Sequence, residues 1–222
     1  MKKKQILIPA AALVLVIIII SIIIILRKNM PSKEHMALTD YFNVEEGKIQ
    51  LILQDEISDE MGLYEDGNVY ISMDIIKELI NPRFYWDSVE NKLLYSTSSA
   101  VVSTEINSNI CYTNKRKETK DYTVVKIQDD IVYVAIDYIK QYTALDYKKY
   151  DNPDRVVIEY IYGQKEKYSK VKKETGLRVN PDNKSFILAD IESGTKLRIL
   201  EEENGEGFCK AITEDGITGY IM

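Results

Sequence analysis

The chain has 222 residues and a formal net charge of −6, which is distributed unevenly along it. All 35 acidic residues follow Lys28, and the part after Lys28 has 24 basic residues and a formal charge of −11. We therefore expect no nucleic-acid partner, since phosphate binding needs a surface rich in lysine and arginine. Cys111 and Cys209 lie 98 residues apart in different predicted domains. We accordingly expect no disulfide.

The first predicted element is an uncharged apolar run of 21 residues, residues 6–26. As a helix rising about 1.5 Å per residue, it is long enough to span a hydrocarbon core. Basic residues flank both ends, and the positive-inside rule favours a cytoplasmic tail at residues 1–5. A cleaved signal peptide is an alternative, but its apolar core should be about 7–15 residues, followed by a small-residue cleavage site. We predict a transmembrane signal anchor in a single-pass cell-membrane protein with extracellular domains.

An internal repeat with an offset of 63 residues follows. EDGNVYISMDIIKEL starts at Glu65 and QDDIVYVAIDYIKQY at Gln128. Each copy begins with an acidic turn and a β-rich triplet, then changes to helical spacing before a second β-rich segment. We predict two strand–helix–strand repeats, residues 65–96 and 128–160, that share one sheet in an α+β domain at 47–162. Further strands are predicted at Lys48–Leu53, Val101–Ile106 and Tyr122–Ile127.

The repeated unit resembles the extracellular domain called copper amine oxidase N-terminal-like, or stalk domain. That family is common on surface proteins of spore-forming and related Gram-positive bacteria. The resemblance implies a wall-associated spacer or binding module. It does not imply copper, because copper sites need clustered imidazole or thiolate ligands. The single histidine, His35, lies in a polar segment, residues 27–46, that we predict to be a juxtamembrane linker. We expect no metal and no cofactor.

The last part of the chain is predicted to be a small all-β barrel. A polar hinge at residues 163–174 precedes it, and residues 175–222 alternate short β-rich pieces with turns. This part resembles a bacterial Src-homology-3 (SH3b) domain. Arg178, Phe208 and Tyr220 are the candidate ligand face, although Tyr220 could equally belong to the core. The matching segments are Leu177-Arg178, Gly194 with Leu197-Ile199-Leu200, Phe208-Cys209-Lys210-Ala211, and Asp215 to Ile221.

The order of these parts along the chain also resembles that of a known class of surface proteins. An anchor, a stalk domain and an SH3b domain together resemble the N-terminal part of membrane-anchored surface proteins with a glycoside hydrolase family 18 catalytic domain. The family's barrel continues a few residues past the point that corresponds to Met222, so we expect a truncated C-terminus. An alternative function is therefore the N-terminal targeting region of a cell-wall or chitin-type hydrolase, with its catalytic domain beyond Met222.

No set of residues predicts a reaction within the chain. His35 is a poor candidate for the base that a nucleophilic serine or cysteine needs. The acidic clusters at residues 55–60 and 201–203 are interpreted as solvated turns and loops rather than a glycosidase pair. Most tyrosines are expected in the core, and a minority could bind sugars or a partner.

We expect a non-catalytic, membrane-anchored cell-envelope module that binds or positions at the cell wall. A wall glycan or peptide is the expected partner. A signalling ectodomain is disfavoured by the five-residue tail.

Overall fold

The computed structural model describes residues 18–22, 30–163, 166–203, 205 and 207–222. These residues are mostly β-sheet, arranged in three sheets. The prediction of an α+β fold that starts with a transmembrane helix is therefore wrong. The reason is the length of the helices, because the helical spacing in each repeat produces only one or two turns between strands.

The predicted membrane anchor is also corrected. Residues 1–17 and 23–26, which cover the predicted tail and most of the anchor, lie outside the described residues, and residues 18–22 are helical. Among the residues that the structure describes, no helix is long and apolar enough to cross a membrane. A membrane-spanning helix needs about 20 consecutive apolar residues. This finding contradicts the single-pass membrane localisation.

Apart from residues 18–22, three short helical segments accompany eighteen strands in the described part of the chain. Helix α1 is Leu38–Phe42, α2 is Met73–Ile75 and continues as a π-helical turn at Ile76–Ile80, and α3 is Ile136–Lys140. The strands are β1 Lys48–Leu53, β2 Glu56–Glu65, β3 Asn68–Ser72, β4 Phe84–Asp87, β5 Lys92–Ser96, β6 Val101–Glu105, β7 Ile110–Thr113, β8 Arg116–Thr119, β9 Val125–Gln128, β10 Ile131–Ala135, β11 Asp146–Tyr150, β12 Arg155–Glu159, β13 Lys167–Lys170, β14 Thr175–Arg178, β15 Ile187–Ile191, β16 Lys196–Glu201, β17 Cys209–Ile212 and β18 Thr218–Ile221.

Residues 47–162, which we call the repeat unit, contain two of the sheets. The seven-stranded sheet has the order β11-β12-β1-β2-β3-β10-β9, and the five-stranded sheet the order β4-β5-β6-β7-β8. Neighbouring strands are antiparallel except β1 and β12, which are parallel. The acidic segment predicted as a solvated turn at residues 55–60 instead supplies the β1–β2 turn and the first half of β2.

The two repeats are related by a local two-fold arrangement. Strands β3 and β10 pair so that Ile71 lies opposite Val134, its own counterpart at the 63-residue offset. The hairpins β4–β5 and β11–β12 also pair in the same register, with Phe84 opposite Tyr95 and the corresponding Tyr147 opposite Ile158. The repeat therefore extends through a hairpin, a short helix and a second hairpin. Equivalent positions in the two copies can be compared side chain by side chain.

One apolar core holds the repeat unit together. It contains the fully buried Ile49, Ile71, Ile76 and Ile139, from both repeats and from β1. Aromatic rings contribute to this core, with the ring of Phe84 4.6 Å from that of Tyr95 in the same sheet and 6.4 Å from that of Tyr138 in α3. Burial of this apolar surface is the main stabilising contribution, at roughly 25 cal/mol per Å².

Residues 166–222, which we call the C-terminal unit, form the third sheet around a second core. Its order is β13-β16-β17-β18-β14-β15, with all neighbours antiparallel. Strand β13 lies in the predicted hinge, of which residues 164 and 165 are outside the described residues. The described part of the predicted linker packs on this unit. Met36 N donates to Ile187 O at 2.9 Å, and Phe42 is buried in the second core.

Candidate ligand-binding site

The predicted ligand face on the C-terminal unit is largely covered by the chain itself. Arg178 lies opposite Tyr220 on paired strands. Its guanidinium is buried and donates to the carbonyl oxygens of Ser185 at 2.7 Å and Ser32 at 3.0 Å. Arg178 therefore uses hydrogen bonds to hold the segment before α1 against the sheet.

The other two residues of that face differ in exposure. Tyr220 is half-buried, while Phe208 is buried just before β17. The hydroxyl of Tyr41, within α1, donates to Thr218 O at 2.9 Å. Burial raises the pKa of Tyr41, and the nearby Tyr220 raises it further. The structure brings Arg178 and Tyr220 together beneath the N-terminal segment and places Phe208 inside the unit.

The junction between the two units carries buried charge. The side chain of Arg155 at the start of β12 is 4% exposed and forms an ion pair with Asp215 in the turn before β18. Its guanidinium also donates to Asp215 O at 2.7 Å and Asp151 O at 3.1 Å. In the same turn Gly216 packs directly against Ile52 and Val157 of the seven-stranded sheet.

A second charged contact joins the units at the other end of β12. Arg198 of β16 forms ion pairs with Asp55, with Glu159 at 3.3 Å and with Glu166 at 2.7 Å. Burial lowers the pKa of Arg198. Burial also raises the pKa of Glu159, and the negative charge of Glu166 adds to that effect. Sequence reasoning missed both arginines, because nothing local distinguishes them from surface residues.

The repeat unit contains a cleft of about 260 Å³ between α2, β4 and the start of β10. We call it the aromatic cleft. Tyr85 is 56% exposed, whereas Trp86 is half-buried and packs against the core. Small-ligand sites commonly combine such aromatic walls with a few polar groups. The lining residues are Met73, Asp74, Lys77, Tyr85, Trp86, Asp130, Ile131 and Val132.

Sequence reasoning did not select this cleft. Trp86 is the one tryptophan of the chain, and the aligned repeat has lysine at its position. That difference between the copies was the available signal. It has meaning only after the structure shows that α2 and the turn before β10 lie beside β4.

A further cavity, of about 510 Å³, lies in the C-terminal unit. Its floor is apolar, with Leu197, Ile199 and Ile221, and exposed lysines such as Lys170 and Lys172 lie at its rim. Exposed lysines carry a flexible point charge and do not orient a ligand by themselves. The aromatic cleft therefore has the better combination of shape and chemistry.

The donors that could hold a metal lie apart from one another. His35 Nε2 lies 3.0 Å from Asp190 Oδ2 at the surface, Cys111 is fully buried in the repeat unit, and Cys209 belongs to the other unit. Among the described residues, no group of three histidine, cysteine or acidic side chains is placed to hold a metal ion. These residues do not fit copper, which prefers clustered imidazole or thiolate ligands.

Comparisons with known proteins give one match. The model of the copper amine oxidase N-terminal domain family matches residues 54–158, which contain the first repeat and all but the last two residues of the second. No curated protein and no solved structure matches the chain. The resemblances to SH3b domains and to family 18 surface proteins therefore have no support from these comparisons. The repeat resemblance is confirmed, and residues 54–158 match the copper amine oxidase N-terminal domain family.

Proposed function

We propose that this chain is a non-catalytic module of the cell envelope that binds or positions at the cell wall, with peptidoglycan as its partner. The observation that carries the proposal is the family match at residues 54–158. The repeat's resemblance implies wall-associated spacer or binding modules. The SH3b resemblance of residues 175–222 belongs to the same proposal.

The junction between the units supports a role in positioning. Two arginines, Arg155 and Arg198, connect the units through ion pairs near opposite ends of β12. Gly216 brings the backbone of the C-terminal unit against Ile52, which is fully buried. Truncating one partner of a buried ion pair typically costs several kcal/mol, so such pairs oppose separation. Two units joined in this way can hold a polymer that binds one unit at a fixed distance from the other unit.

Sedimentation with purified peptidoglycan tests this function. The purified full chain is mixed with insoluble peptidoglycan at about 0.15 M salt, where charges beyond about 8 Å are screened, and insoluble cellulose serves as the control polymer. We expect saturable sedimentation with peptidoglycan, little with cellulose, and no release of reducing ends during incubation. Absence of sedimentation would overturn wall binding. Release of soluble glycan fragments would overturn the non-catalytic assignment.

A further inference from the structure

The aromatic cleft lies in the first repeat, and the second repeat provides an internal comparison. The two-fold arrangement places each cleft residue at a known counterpart 63 positions away. Asp74 corresponds to Asp137, and Lys77 to Lys140. Both copies have the same order of strands around a short helix, although Lys77 lies in a π-helical turn and Lys140 in an α-helix. Their contacts can therefore be compared position by position.

In the second repeat this acid and this lysine have partners. The hydroxyl of Tyr147 donates to a carboxylate oxygen of Asp137 at 2.8 Å. The ammonium of Lys140 donates to Asp146 at 2.7 Å. Burial raises the pKa of Tyr147, and its hydrogen bond to Asp137 raises it further. The polar groups at these positions are therefore occupied within the fold.

In the first repeat the same two positions have lost those partners. Phe84 stands where the second repeat has the tyrosine, so no hydroxyl is available to Asp74. Arg83 stands where the second repeat has the aspartate, and it cannot form an ion pair with Lys77. The side chains of Asp74 and Lys77 form no hydrogen bond or ion pair with any residue that the structure describes. The pair is free to bind groups from outside the protein.

The two repeats also differ in the strand beside these positions, which is β4 in the first repeat and β11 in the second. Tyr85 and Trp86 stand where the second repeat has two lysines. The second of these, Lys149, lies over the ring of Tyr64 at 4.2 Å and donates to Asp154 at 2.8 Å. The first repeat thus combines unpaired charged groups with two aromatic side chains, one of them 56% exposed.

We propose that the aromatic cleft binds a sugar ring of an N-acetylated amino-sugar polymer. Trp86 contacts the apolar C–H face of the ring, and Tyr85, whose side chain alternates with that of Trp86 along β4, contacts the ligand at the rim of the cleft. Asp74 and Asp130 accept hydrogen bonds from its hydroxyl and amide groups, and Lys77 donates one. A pyranose ring matches this chemistry because it has an apolar face and a polar rim, and hydrogen bonds to charged groups are the stronger ones. The saccharide class follows from the cleft, while its source in wall glycan rests on the proposed function.

The cleft's size agrees with one ring of a chain rather than a whole ligand. Its volume of about 260 Å³ lies below the roughly 300–1,000 Å³ of pockets that enclose drug-sized molecules. Its lining comes from α2, β4 and the turn before β10, all held by the core, so the site exists before binding.

Fluorescence titration measures this binding directly, since Trp86 is the one tryptophan in the chain. The full chain is titrated with chitotetraose, a soluble oligomer of N-acetylglucosamine, and sedimentation with peptidoglycan is measured in parallel. We expect a saturable change in Trp86 emission. Tyr85→Ala and Asp74→Asn should each weaken binding about tenfold, a change of about 1.4 kcal/mol.

Two variants outside the cleft are the matched controls. Tyr112→Ala removes another exposed tyrosine, in β7, and Glu78→Gln neutralises an exposed acid on the same helical turn as Lys77. Both should bind as the unaltered chain does. Circular dichroism checks that every variant has the same fold, so loss of binding reports on the cleft.

The two assays separate the two proposals. Emission that chitotetraose leaves unchanged, with equal sedimentation of all variants, would overturn the cleft site and leave wall binding in place. A saturable emission change without sedimentation would retain the cleft and overturn the wall partner. Failure of both assays would overturn both. Equal loss of binding in the control variants would also contradict the cleft assignment.

Discussion

Gly216 lies where the C-terminal unit meets the repeat unit. Its φ of +81° lies in the left-handed region, and an added Cβ would lie 2.4 Å from Ile52 Cδ1 and 2.8 Å from Val157 Cγ2. Ile52 is fully buried, so it has little room to move. We predict that Gly216→Ala destabilises the protein through both backbone strain and overlap.

Gly194 separates these two causes. It has a similar φ of +89°, but an added Cβ would meet nothing within 4 Å. A left-handed conformation costs a non-glycine residue about 1–2 kcal/mol, and this should be the whole effect of Gly194→Ala. Overpacking a buried contact adds about 1–3 kcal/mol. We therefore expect Gly216→Ala to lower the free energy of unfolding by about 2–5 kcal/mol.

Urea unfolding monitored by circular dichroism measures both free energies. Ile52→Val removes Cδ1, the nearest atom, so Gly216→Ala should cost less in that background than in the unaltered chain, while the cost of Gly194→Ala should not change. Equal costs for the two glycine variants, without coupling to Ile52→Val, would refute the direct packing of this turn on the seven-stranded sheet.

Three further outcomes are expected. Arg155→Ala should lower the free energy of unfolding by about 1–3 kcal/mol, because it leaves the half-buried Asp215 carboxylate and the backbone carbonyl oxygens around it without their donor; in a double-mutant cycle by urea unfolding, Asp215→Ala should then cost less than it does alone. Burial raises the pKa of Tyr122 to about 12. The unfolded chain releases this proton from about pH 10, so stability should fall between about pH 10 and 12, and less so in Tyr122→Phe; identical pH profiles would contradict this. Burial raises the pKa of Cys111, so a thiol reagent should label the half-buried Cys209 first and both cysteines only after unfolding; equal labelling of the native thiols would contradict this.

Part of the repeat unit was predictable from local patterns. The triplets, Val69-Tyr70-Ile71 and Val132-Tyr133-Val134, consist of β-branched and aromatic residues that favour strands, and β3 and β10 occur where those triplets lie. The predicted strand Lys48–Leu53 is confirmed with the same bounds. Such local sequence patterns depend only on neighbours in sequence. The length of the helix after each triplet was overestimated, because Ile75 and Ile139 are buried against the sheet in very short helices.

The candidate site needed information that no local pattern contains. Asp74 and Trp86 belong to different elements, and Asp130 is more than 40 positions further along the chain. The burial of Arg178 shows the same dependence, because the segment that covers it lies almost 150 residues earlier, around Ser32. Exposure of a side chain depends on which distant segment covers it.

The sequence by itself determined the duplication, the acidic character of the chain after Lys28, and the local preference for short strands. These follow from composition and from periods of a few residues. Only the tertiary structure decided the parallel pairing of β1 with β12, the buried contacts of Arg155, and the unpaired state of Asp74. Each of these depends on contacts between segments far apart in the chain. Such contacts are selected by burial and hydrogen bonding of the whole molecule, since a side chain's partners exist only once the chain has closed around it.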